Sequence, residues 1–250
     1  MIKLFLSIIV FVGVFAGLSY MSVTKKQIPV PTSSTSSPVV IATSTPPSPK
    51  SVDEIVRGDT SKKQVIFTFD GGAGTQSLDQ ILATLKKYNV TSTFFLTGKM
   101  VEDNQEAVKK IVAGGHEIFN HTYSHPHLPQ LSDAGIVQEL SRTDELLTRI
   151  TGVSSKPYFR APYGDRNLHV REVAFDTGYQ SVYWTVDALD WKEGSGETAE
   201  TVRARVLSSV APGTIYLMHL GDTITGDILD IVFAEIINRG YDIVPLTKGL

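Results

Sequence analysis

Two histidines four positions apart, His121 and His125, have the spacing that most directly indicates chemistry in this chain. Imidazoles at positions i and i+4 lie on the same side when the segment turns helically, and paired histidines form the core of many zinc and other divalent-metal sites. The chain contains no cysteine, so a metal has to rely on histidine, aspartate and glutamate. An isolated histidine pair is more often a surface or capping feature, and the spacing alone therefore gives only a hypothesis.

A carboxylate ends the apolar run of residues 65–69, where Asp70 precedes Gly71 and Gly72. Asp70 could act as a general base or as a metal ligand. The ordinary alternative is an aspartate that caps a turn or a helix. The two glycines predict a flexible turn directly after the carboxylate.

Arg160 begins the segment RAPYG at residues 160–164, which combines a cation with a rigid turn. A guanidinium can orient a catalytic carboxylate through a bidentate contact. The turn that contains Tyr163 could aim a backbone N–H group at a developing oxyanion. A structural salt bridge is the alternative role for Arg160.

Two further carboxylates, Asp187 and Asp190, precede Trp191, whose ring is suited to the face of a sugar. His219 ends an otherwise apolar run, and a lone histidine in such a place is more often a satisfied core residue than a catalyst. Beside a carboxylate such as Asp190, His219 could instead be a charged general acid.

Short β-branched and aromatic runs alternate with longer amphipathic stretches after about residue 51. This alternation predicts strands at residues 65–70, 92–96, 117–121, 158–160, 181–187, 214–219 and 241–245. It predicts helices at residues 78–89, 105–113, 133–150, 168–177, 198–210 and 227–238. Seven strands alternating with helices favour the α/β class and a distorted (β/α)7 TIM-like barrel with one unit missing, with a doubly wound open sheet as the alternative.

The polar residues occupy a common place in this pattern, at or just past the carboxyl ends of five predicted strands. They are Asp70, His121, Arg160, Asp187 and His219. In parallel α/β folds the loops that follow the strands meet at this edge, where ligands bind. We therefore expect these five side chains to converge on one site.

The amino-terminal part of the chain has a different composition. From Leu4 to Val23 the sequence is apolar and uncharged, and a length of about 20 residues matches the hydrocarbon thickness of a membrane. The cleavage pattern is poor, so residues 1–23 are predicted to be an uncleaved anchor, with a cleaved signal peptide as the alternative. Lys25 and Lys26 directly follow the apolar segment. They oppose an orientation with the rest of the chain outside the cytoplasm, because positive residues prefer the cytoplasmic side.

Residues 24–57 are rich in serine, threonine and proline and predict an extended linker. Residues 58–250 then form the predicted catalytic domain. Linkers of this kind commonly hold an exported domain away from a membrane, which predicts an extracytoplasmic domain that is either anchored or secreted. The formal charge of -3 gives no reason to expect a basic surface that binds nucleic acid. The expected oligomeric state is a monomer.

Together these motifs resemble the polysaccharide deacetylases of carbohydrate esterase family 4, which carry the NodB-type homology domain. The family patterns T-F-D-D-G, H-[ST]-x-x-H, R-x-P-Y-G, D-x-x-D-W and L-x-H occur in the same order across about residues 60–247. The segments that carry the resemblance are TFDGG at residues 68–72, HTYSH at 121–125, RAPYG at 160–164, DALDW at 187–191 and LMH at 217–219. Five ordered motifs are far more specific than any one of them.

The resemblance implies hydrolysis of the N-acetyl groups of an amino-sugar polymer, with peptidoglycan as the favoured cell-wall substrate. It implies that Asp70 deprotonates a water and that Arg160 orients Asp70. The backbone N–H of Tyr163 would stabilise the oxyanion, and His219, tuned by Asp190, would protonate the leaving amine.

The resemblance also implies a cofactor and a substrate pocket. His121 and His125 would bind a divalent metal, expected to be zinc, with cobalt, nickel or manganese as alternatives, and Asp70 is a candidate third ligand. Trp191 and Leu217 would wall the acetyl pocket. Tyr163 and Asp187 are further candidate substrate-binding residues.

Gly71 departs from the family pattern, which has a second aspartate here as a metal ligand. Two neutral imidazoles lack the anionic ligand that strengthens binding of a divalent cation. Three outcomes follow: Asp70 becomes a ligand, water fills the position, or the site is poor in metal and nearly inactive. In the last case the chain is a non-catalytic or weakly active carbohydrate-binding relative. A separate alternative is an O-acetyl esterase that acts on xylan-like polymers with the same site. An aspartate introduced at residue 71 is expected to tighten metal binding.

Overall fold

The strands of this protein form one parallel sheet, as seen in a computed structural model that describes residues 48–72 and 74–250. The eight strands of this sheet are β1 (Gln64–Gly71), β2 (Thr93–Leu96), β3 (Glu117–Asn120), β4 (Tyr158–Phe159), β5 (Gln180–Ser181), β6 (Val186–Asp187), β7 (Thr214–His219) and β8 (Asp242–Val244). Their spatial order is β5-β4-β3-β2-β1-β7-β6, and β8 pairs with the first residues of β1. The α/β class is confirmed, and the sheet has the curved arrangement of a distorted (β/α)7 barrel.

Helices follow the strands and cover the outside of the sheet. They are α1 (Leu78–Lys87), α2 (Gly98–Asp103), α3 (Gln105–Ala113), α4 (Asp133–Thr151), α5 (Leu168–Asp176), α6 (Ala199–Ser208), α7 (Ile224–Asn238) and α8 (Leu246–Gly249). Six of these match the predicted helices to within a few residues. The short helix α2 was not predicted, and its N-cap is the Thr97 side chain, which accepts a hydrogen bond from the backbone N–H of Met100.

Side chains alternate across β1, and this alternation separates two apolar layers. Val65, Phe67 and Phe69 point outward and pack in the large cluster between the strands and the helices. Ile66 points inward, into the smaller cluster that fills the barrel. Because successive side chains in a strand face opposite sides, Asp70 also points inward, toward the site.

The predicted strand at residues 181–187 is two strands in the structure. After Ser181 in β5 the chain leaves one edge of the sheet, and at Val186 in β6 it joins the other edge beside Tyr216. The intervening residues, 182–185, run between the two edge strands, β5 and β6, which do not pair with each other. We call these four residues the seam. The sequence SVYWTVD reads as one apolar run, so periodicity gave no sign of this crossing.

A segment before β1, residues 53–58, lies against the seam, and we call it the strap. Ile55 forms an isolated parallel bridge with Val182, and its carbonyl accepts a 2.7 Å hydrogen bond from the backbone N–H of Tyr183. Further along, the N–H of Gly58 donates to the carbonyl of Gly213 at 2.8 Å. Most of the strap lies within the predicted linker range, and we propose that the folded domain begins near residue 53.

The amino-terminal predictions concern residues that the structure does not describe. The predicted anchor at residues 1–23 and most of the predicted linker lie outside residues 48–72 and 74–250. Across those described ranges, no helix combines the length and the apolar character needed to cross a membrane.

Candidate active site

The sequence-selected residues meet at the carboxyl ends of the strands, around a cleft of about 880 Å³. The cleft is lined by Asp70, Gly72, His121, His125, Ala161, Tyr163, Gly164, Trp184, Asp187, Trp191, Glu193, Gly194, Leu217, His219, Gly221 and Asp222. Arg160 lies just beneath it and is fully buried. The predicted convergence on one edge of the sheet is therefore seen for each of the five strand ends.

Asp70 and Arg160 form a buried ion pair beneath the cleft. Nη1 of Arg160 donates to Oδ1 of Asp70 at 2.6 Å and to the hydroxyl of Thr68 at 2.9 Å. The contact is not the bidentate one expected from the sequence, because Nη2 and Nε donate instead to the carbonyls of Tyr183 at 3.1 Å and Val182 at 3.4 Å. Arg160 therefore orients one carboxylate oxygen and leaves the other facing the cleft.

That second oxygen, Oδ2 of Asp70, lies 3.5 Å from Nε2 of His121. Nδ1 of His121 is 2.9 Å from the backbone carbonyl of Arg160, so Nδ1 carries the proton and donates. Burial lowers the pKa of His121, which keeps the imidazole neutral and leaves a lone pair on Nε2. Two acceptor atoms at this distance repel each other unless a cation or a proton donor lies between them.

His125 reaches the same region through an irregular turn and not through a helix. His125 has a φ of 61° and Thr122 a φ of 65°, both in the left-handed region that favours glycine. Its ring centroid lies 4.9 Å from that of His121 and 4.4 Å from that of Tyr163. Burial is the main cause that lowers the pKa of His125 to about 4, so this imidazole is neutral near pH 7.

The donor set fits a divalent cation, although with fewer ligands than the family pattern supplies. Both imidazoles are neutral, as metal ligation requires, and the bond from Nδ1 of His121 to a carbonyl is the usual support of a metal-binding histidine. The ligand atoms of Asp70, His121 and His125 are not all within 4.8 Å of one another, and among the described residues only Asp190, His219 and Asp222 meet that distance. The lowered pKa values of His121 and His125 and the Nδ1 contact of His121 keep these two residues as the candidate metal ligands that the sequence predicts, with Asp70 beside them.

Gly71 lies on the outer side of β1, together with Phe67 and Phe69. A Cβ atom at residue 71 would be 2.7 Å from a methyl of Leu96 and 2.9 Å from a methyl of Leu220. The position where the family pattern has its second aspartate is thus directed at apolar side chains and not at His121.

His219 forms a second hydrogen-bonded group with Asp190 on the opposite side of the cleft. Nδ1 of His219 lies 2.8 Å from Oδ1 of Asp190, and the backbone N–H of His219 donates to Oδ2 at 2.6 Å. Burial alone would lower the pKa of His219, but the hydrogen bond and charge of Asp190 outweigh it and raise the pKa to about 9. His219 is therefore an imidazolium near pH 7, as a general acid requires.

Aromatic and apolar side chains form the mouth and wall of the cleft. The rings of Tyr163 and Trp191 are more than half exposed at its entrance, whereas Leu217 is buried in its wall. The indole N–H of Trp191 donates to Oδ2 of Asp187 at 3.4 Å. Burial raises the pKa of Asp187. The arrangement gives an exposed aromatic platform above a pocket with an apolar side.

Asp222 is a cleft residue that the sequence analysis missed. Its Oδ1 accepts a 2.9 Å hydrogen bond from the backbone N–H of Thr225 at the start of α7, whereas within residues 48–72 and 74–250 nothing donates to its buried Oδ2. Burial and the charge of Asp190 raise the pKa of Asp222 to about 7. Its position three residues after His219 is the signal that could have drawn attention to it.

By distance, Asp190, His219 and Asp222 could also hold a cation. Both oxygens of Asp190 are already occupied, however: Oδ1 accepts from the backbone N–H of Trp191 and from His219, and Oδ2 accepts from the hydroxyl of Thr225 and from His219. Binding a metal here would break these bonds. The group is better suited to holding a proton on His219.

Comparison with known proteins gives a consistent family. A sequence profile described as polysaccharide deacetylase matches residues 57–182. The chain is 35% identical to the peptidoglycan-N-acetylglucosamine deacetylase of Bacillus cereus, over 76% of this chain and 69% of that protein. It is 32% identical to the peptidoglycan-N-acetylmuramic acid deacetylase PdaA of Bacillus subtilis, over 76% of this chain and 72% of PdaA. The match to YlxY of Bacillus subtilis is 34% identical and covers 78% of this chain but only 60% of YlxY.

The solved structures that match this chain include a relative in an inactive form and in a reactivated form. BA3943 from Bacillus anthracis, described as a CE4 family pseudoenzyme, matches with a TM-score of 0.75 and 32% identity over 80% of this chain and 69% of that one. A mutant of BA3943, described as having restored enzymatic activity, matches with a TM-score of 0.75 and 34% identity over 80% of this chain and 72% of that one. The scaffold thus occurs both with and without activity.

Proposed function

Since this chain belongs to the polysaccharide deacetylase family, a family of hydrolases that act on N-acetyl groups, we propose that it removes N-acetyl groups from peptidoglycan. Two of its relatives are named as deacetylases of peptidoglycan, one acting on N-acetylglucosamine and the other on N-acetylmuramic acid.

The observation that carries the proposal is the placement of a base and an acid on neighbouring strands. Asp70 and His219 are register partners at the carboxyl ends of β1 and β7. Both line the same cleft, one held by Arg160 and the other by Asp190. A protein that only binds sugar needs neither a carboxylate oriented as a base nor a histidine held as an acid.

In the proposed reaction, Oδ2 of Asp70 takes a proton from a water in the cleft, and the water oxygen attacks the carbonyl carbon of the N-acetyl group. The carbon–nitrogen bond of the resulting tetrahedral species then breaks. Nε2 of His219 gives its proton to the departing sugar nitrogen, so acetic acid and a free amine leave. The acid ionises to acetate, and Asp70 loses its proton and His219 regains one through the solvent before the next cycle. Asp190 holds Nδ1 of His219 and stabilises the imidazolium before the transfer.

The remaining cleft residues position the substrate in this proposal. The turn at Tyr163 would present its backbone N–H to the oxyanion, and Trp191 would cover a sugar face. Leu217 would contact the acetyl methyl group, and Asp187 would accept hydrogen bonds from the sugar. Their placement around the cleft supports these roles.

A divalent cation is part of the proposal, with His121 and His125 as the residues that would hold it and zinc as the expected ion. When bound, such an ion polarises the acetyl carbonyl and lowers the pKa of a nearby water. Oδ2 of Asp70, 3.5 Å from Nε2 of His121, is close enough to share the ion or to accept the proton of the water.

The location of the enzyme follows from its substrate in this proposal. Peptidoglycan lies outside the cytoplasm, so the folded domain would act there. We propose residues 1–23 as the membrane anchor and a monomer as the active form.

The direct test is release of acetate from N-acetylated peptidoglycan fragments by the full chain, with zinc, cobalt, nickel or manganese added. We expect release by the native chain, and release lowered by roughly 10²-fold or more in the variants Asp70→Asn and His219→Ala. Acetylated xylan serves as a second substrate, since acetate from xylan alone would indicate an O-acetyl esterase. No acetate from any of these polymers would refute the enzymatic proposal.

A second candidate function, a non-catalytic glycan-binding relative, is favoured by Gly71 and by the similarity to BA3943. This candidate predicts that peptidoglycan fragments bind the cleft in a calorimetric titration without loss of acetyl groups. Binding that disappears in Trp191→Ala, together with no acetate release under any metal, would support it over the first proposal.

A further inference from the structure

The strap, residues 53–58, contacts the seam at the point where the seam carbonyls hold Arg160. The N–H of Ile55 donates to the carbonyl of Ser181 at 2.9 Å, and the N–H of Tyr183 donates to the carbonyl of Ile55 at 2.7 Å. The Tyr183 carbonyl in turn accepts a 3.1 Å bond from Nη2 of Arg160. A hydrogen-bonded path therefore runs from the strap through the seam to the buried guanidinium, and from there to Asp70 at 2.6 Å.

The strap also carries a charged side chain, Glu54, that contacts Arg166 shortly after the Tyr163 turn. Glu54 accepts from Arg166 in a forked arrangement, with Nε at 3.0 Å from Oε1 and Nη2 at 2.8 Å from Oε2. The hydroxyl of Ser181 donates to Oε1 of Glu54 at 2.8 Å. Both side chains of the pair are largely buried, with 11% of Glu54 and 25% of Arg166 exposed, so the pair is shielded from the solvent that weakens surface ion pairs.

Arg166 links this pair to the turn that contains Tyr163. Nη1 of Arg166 donates to the carbonyl of Gly164 at 3.0 Å. The guanidinium lies 3.5 Å from the ring centroid of Tyr183, which belongs to the seam. One guanidinium thus contacts the strap, the seam and the turn.

The turn has a backbone conformation that needs external support. Tyr163 has a φ of 59° and Gly164 a φ of 64°, and such a conformation is costly for a tyrosine. A Cβ atom at Gly164 would be 2.7 Å from the ring of Trp184 and 2.8 Å from that of Tyr183, so the turn is pressed closely against the seam. Losing the bond from Arg166 to the Gly164 carbonyl would free the turn on one side.

From these contacts we propose that Glu54 and Arg166 are positioning residues, which fix the Tyr163 turn and the seam that holds Arg160 in the geometry that deacetylation requires. The inference rests on the proposed function. Neither residue lies in the motifs that define the site, and Glu54 precedes the first of them by fourteen positions in the printed sequence. Neither residue lines the cleft, so both act through others.

The alternative is that the pair only stabilises the fold. A matched control separates the two. Glu117, at the amino-terminal end of β3, is also a partly buried glutamate, and it accepts hydrogen bonds from the hydroxyls of Thr93 and Thr247. It lies at the end of the barrel opposite the cleft, so Glu117→Gln makes the same chemical change without contact to the turn or the seam.

The experiment compares the full-length native chain with Glu54→Gln, Glu54→Asp and Glu117→Gln. Steady-state acetate release and thermal unfolding are measured for each. We expect Glu54→Gln to lower kcat about tenfold with little change in KM, since small displacements of reacting groups are costly. Glu54→Asp, which retains the charge, recovers part of kcat, and Glu117→Gln leaves kcat unchanged even where its unfolding temperature falls.

A second measurement does not depend on turnover. In hydrogen exchange, peptides that cover residues 160–166 and 180–185 are expected to exchange faster in Glu54→Gln than in the native chain or in Glu117→Gln. Unchanged exchange in these peptides, or a loss of kcat in Glu117→Gln equal to that in Glu54→Gln, overturns the inference. A native chain without acetate release refutes the proposed function instead, and exchange then decides whether the strap holds the turn.

Discussion

Asp70 has two oxygens with different neighbours, and this asymmetry gives the first testable consequence. Oδ1 is bound to the buried Arg160, whereas Oδ2 faces His121. Removing the charge of Asp70 leaves the guanidinium without its partner in a place where it is fully buried. An uncompensated buried charge is far more costly than a broken surface pair.

We therefore expect Asp70→Asn to lower the free energy of unfolding by about 3 kcal/mol and acetate release by roughly 10²-fold or more. Chemical denaturation and the acetate assay measure the two effects. Asp79→Asn, which breaks an exposed pair with Lys110, is the control and should change stability by less than about 1 kcal/mol. Equal losses of stability in the two variants would show that the buried pair of Asp70 and Arg160 contributes no more to folding than an exposed pair.

The pair of His219 and Asp190 predicts a pH profile. With the pKa of His219 raised to about 9, the general acid stays protonated below that pH, so activity should decline only as pH rises through about 9. In Asp190→Asn the raising partner is removed while burial still lowers the pKa, so the decline should move to the ordinary value of 6.5 or below. We also expect kcat to fall by about 10²-fold or more.

The measurement is kcat/KM for acetate release over about pH 5 to 10. Asp187→Asn is the comparison, because Asp187 acts on His219 only through its charge and should move the decline much less. A decline near pH 9 in Asp190→Asn would mean that another group donates the proton.

At the residue scale, sequence reasoning found the side chains with recognisable chemistry and missed those that act by context. His121, Asp190 and His219 could be selected because their types and order are informative without coordinates. Asp222 and Glu54 could not, since an aspartate before a helix and a glutamate within a predicted linker are ordinary features. Their relevance arises from burial and from partners that are distant in the sequence.

At the scale of elements, the end of β1 changes what a substitution at Gly71 should do. The family pattern predicts that an aspartate at residue 71 tightens metal binding. In the strand, however, residue 71 faces the methyl groups of Leu96 and Leu220, on the side away from the cleft. A carboxylate there would be buried among apolar atoms.

We expect Gly71→Asp to lower the free energy of unfolding by about 1–3 kcal/mol or more and to leave zinc affinity unchanged. A Cβ atom at Gly72 would instead make only ordinary van der Waals contacts, with a methyl of Thr97 at 3.8 Å and a ring carbon of His125 at 3.9 Å. Gly72→Asp is therefore expected to tighten zinc binding by roughly tenfold, or about 1.4 kcal/mol.

Calorimetric titration with zinc, alongside urea unfolding, tests both statements. His125→Ala provides the baseline without the histidine pair. Tighter zinc binding in Gly71→Asp would show that the end of β1 rearranges to bring residue 71 into the cleft.

Element bounds were predictable where local pattern and burial agree. Residues 214–219 form a strand with the predicted bounds because the first five residues, which are apolar, aromatic or β-branched, are buried between neighbours. The prediction of one strand at residues 181–187 was wrong. The segment divides into two strands because its two halves pair with different strands, which is a property of the closed barrel and not of the local sequence. The helix α2 was missed because it is only six residues long, too short for a periodic pattern.

At the scale of the whole molecule, Asp222 predicts how stability varies with pH. The pKa of Asp222 rises from an ordinary 3.8 to about 7 on folding, so between these values the folded chain binds a proton that the unfolded chain has released. This contribution to stability therefore decreases as pH rises from about 4 to about 7 and is absent above it.

Replacing Asp222 by Asn keeps a good capping residue for α7 and removes the titration. We expect the variant to lose less stability than the native chain between about pH 5 and pH 8, with a difference on the order of 1 kcal/mol. Urea unfolding at both pH values measures it, and Asp222→Ala, which also lacks the cap, should be less stable at both. Parallel pH dependences of the native chain and Asp222→Asn would contradict the assignment.

The seam has a consequence for how such sequences diverge. Arg160 bonds the two carbonyls that close the barrel as well as the carboxylate of the proposed base, so its loss would threaten folding before selection could act on catalysis. A lineage that abandons the reaction can discard metal ligands or an acid at little cost, but it is expected to retain this arginine because folding still requires it. The arginine motif would then outlast the activity, and its presence in a genome records ancestry and not turnover.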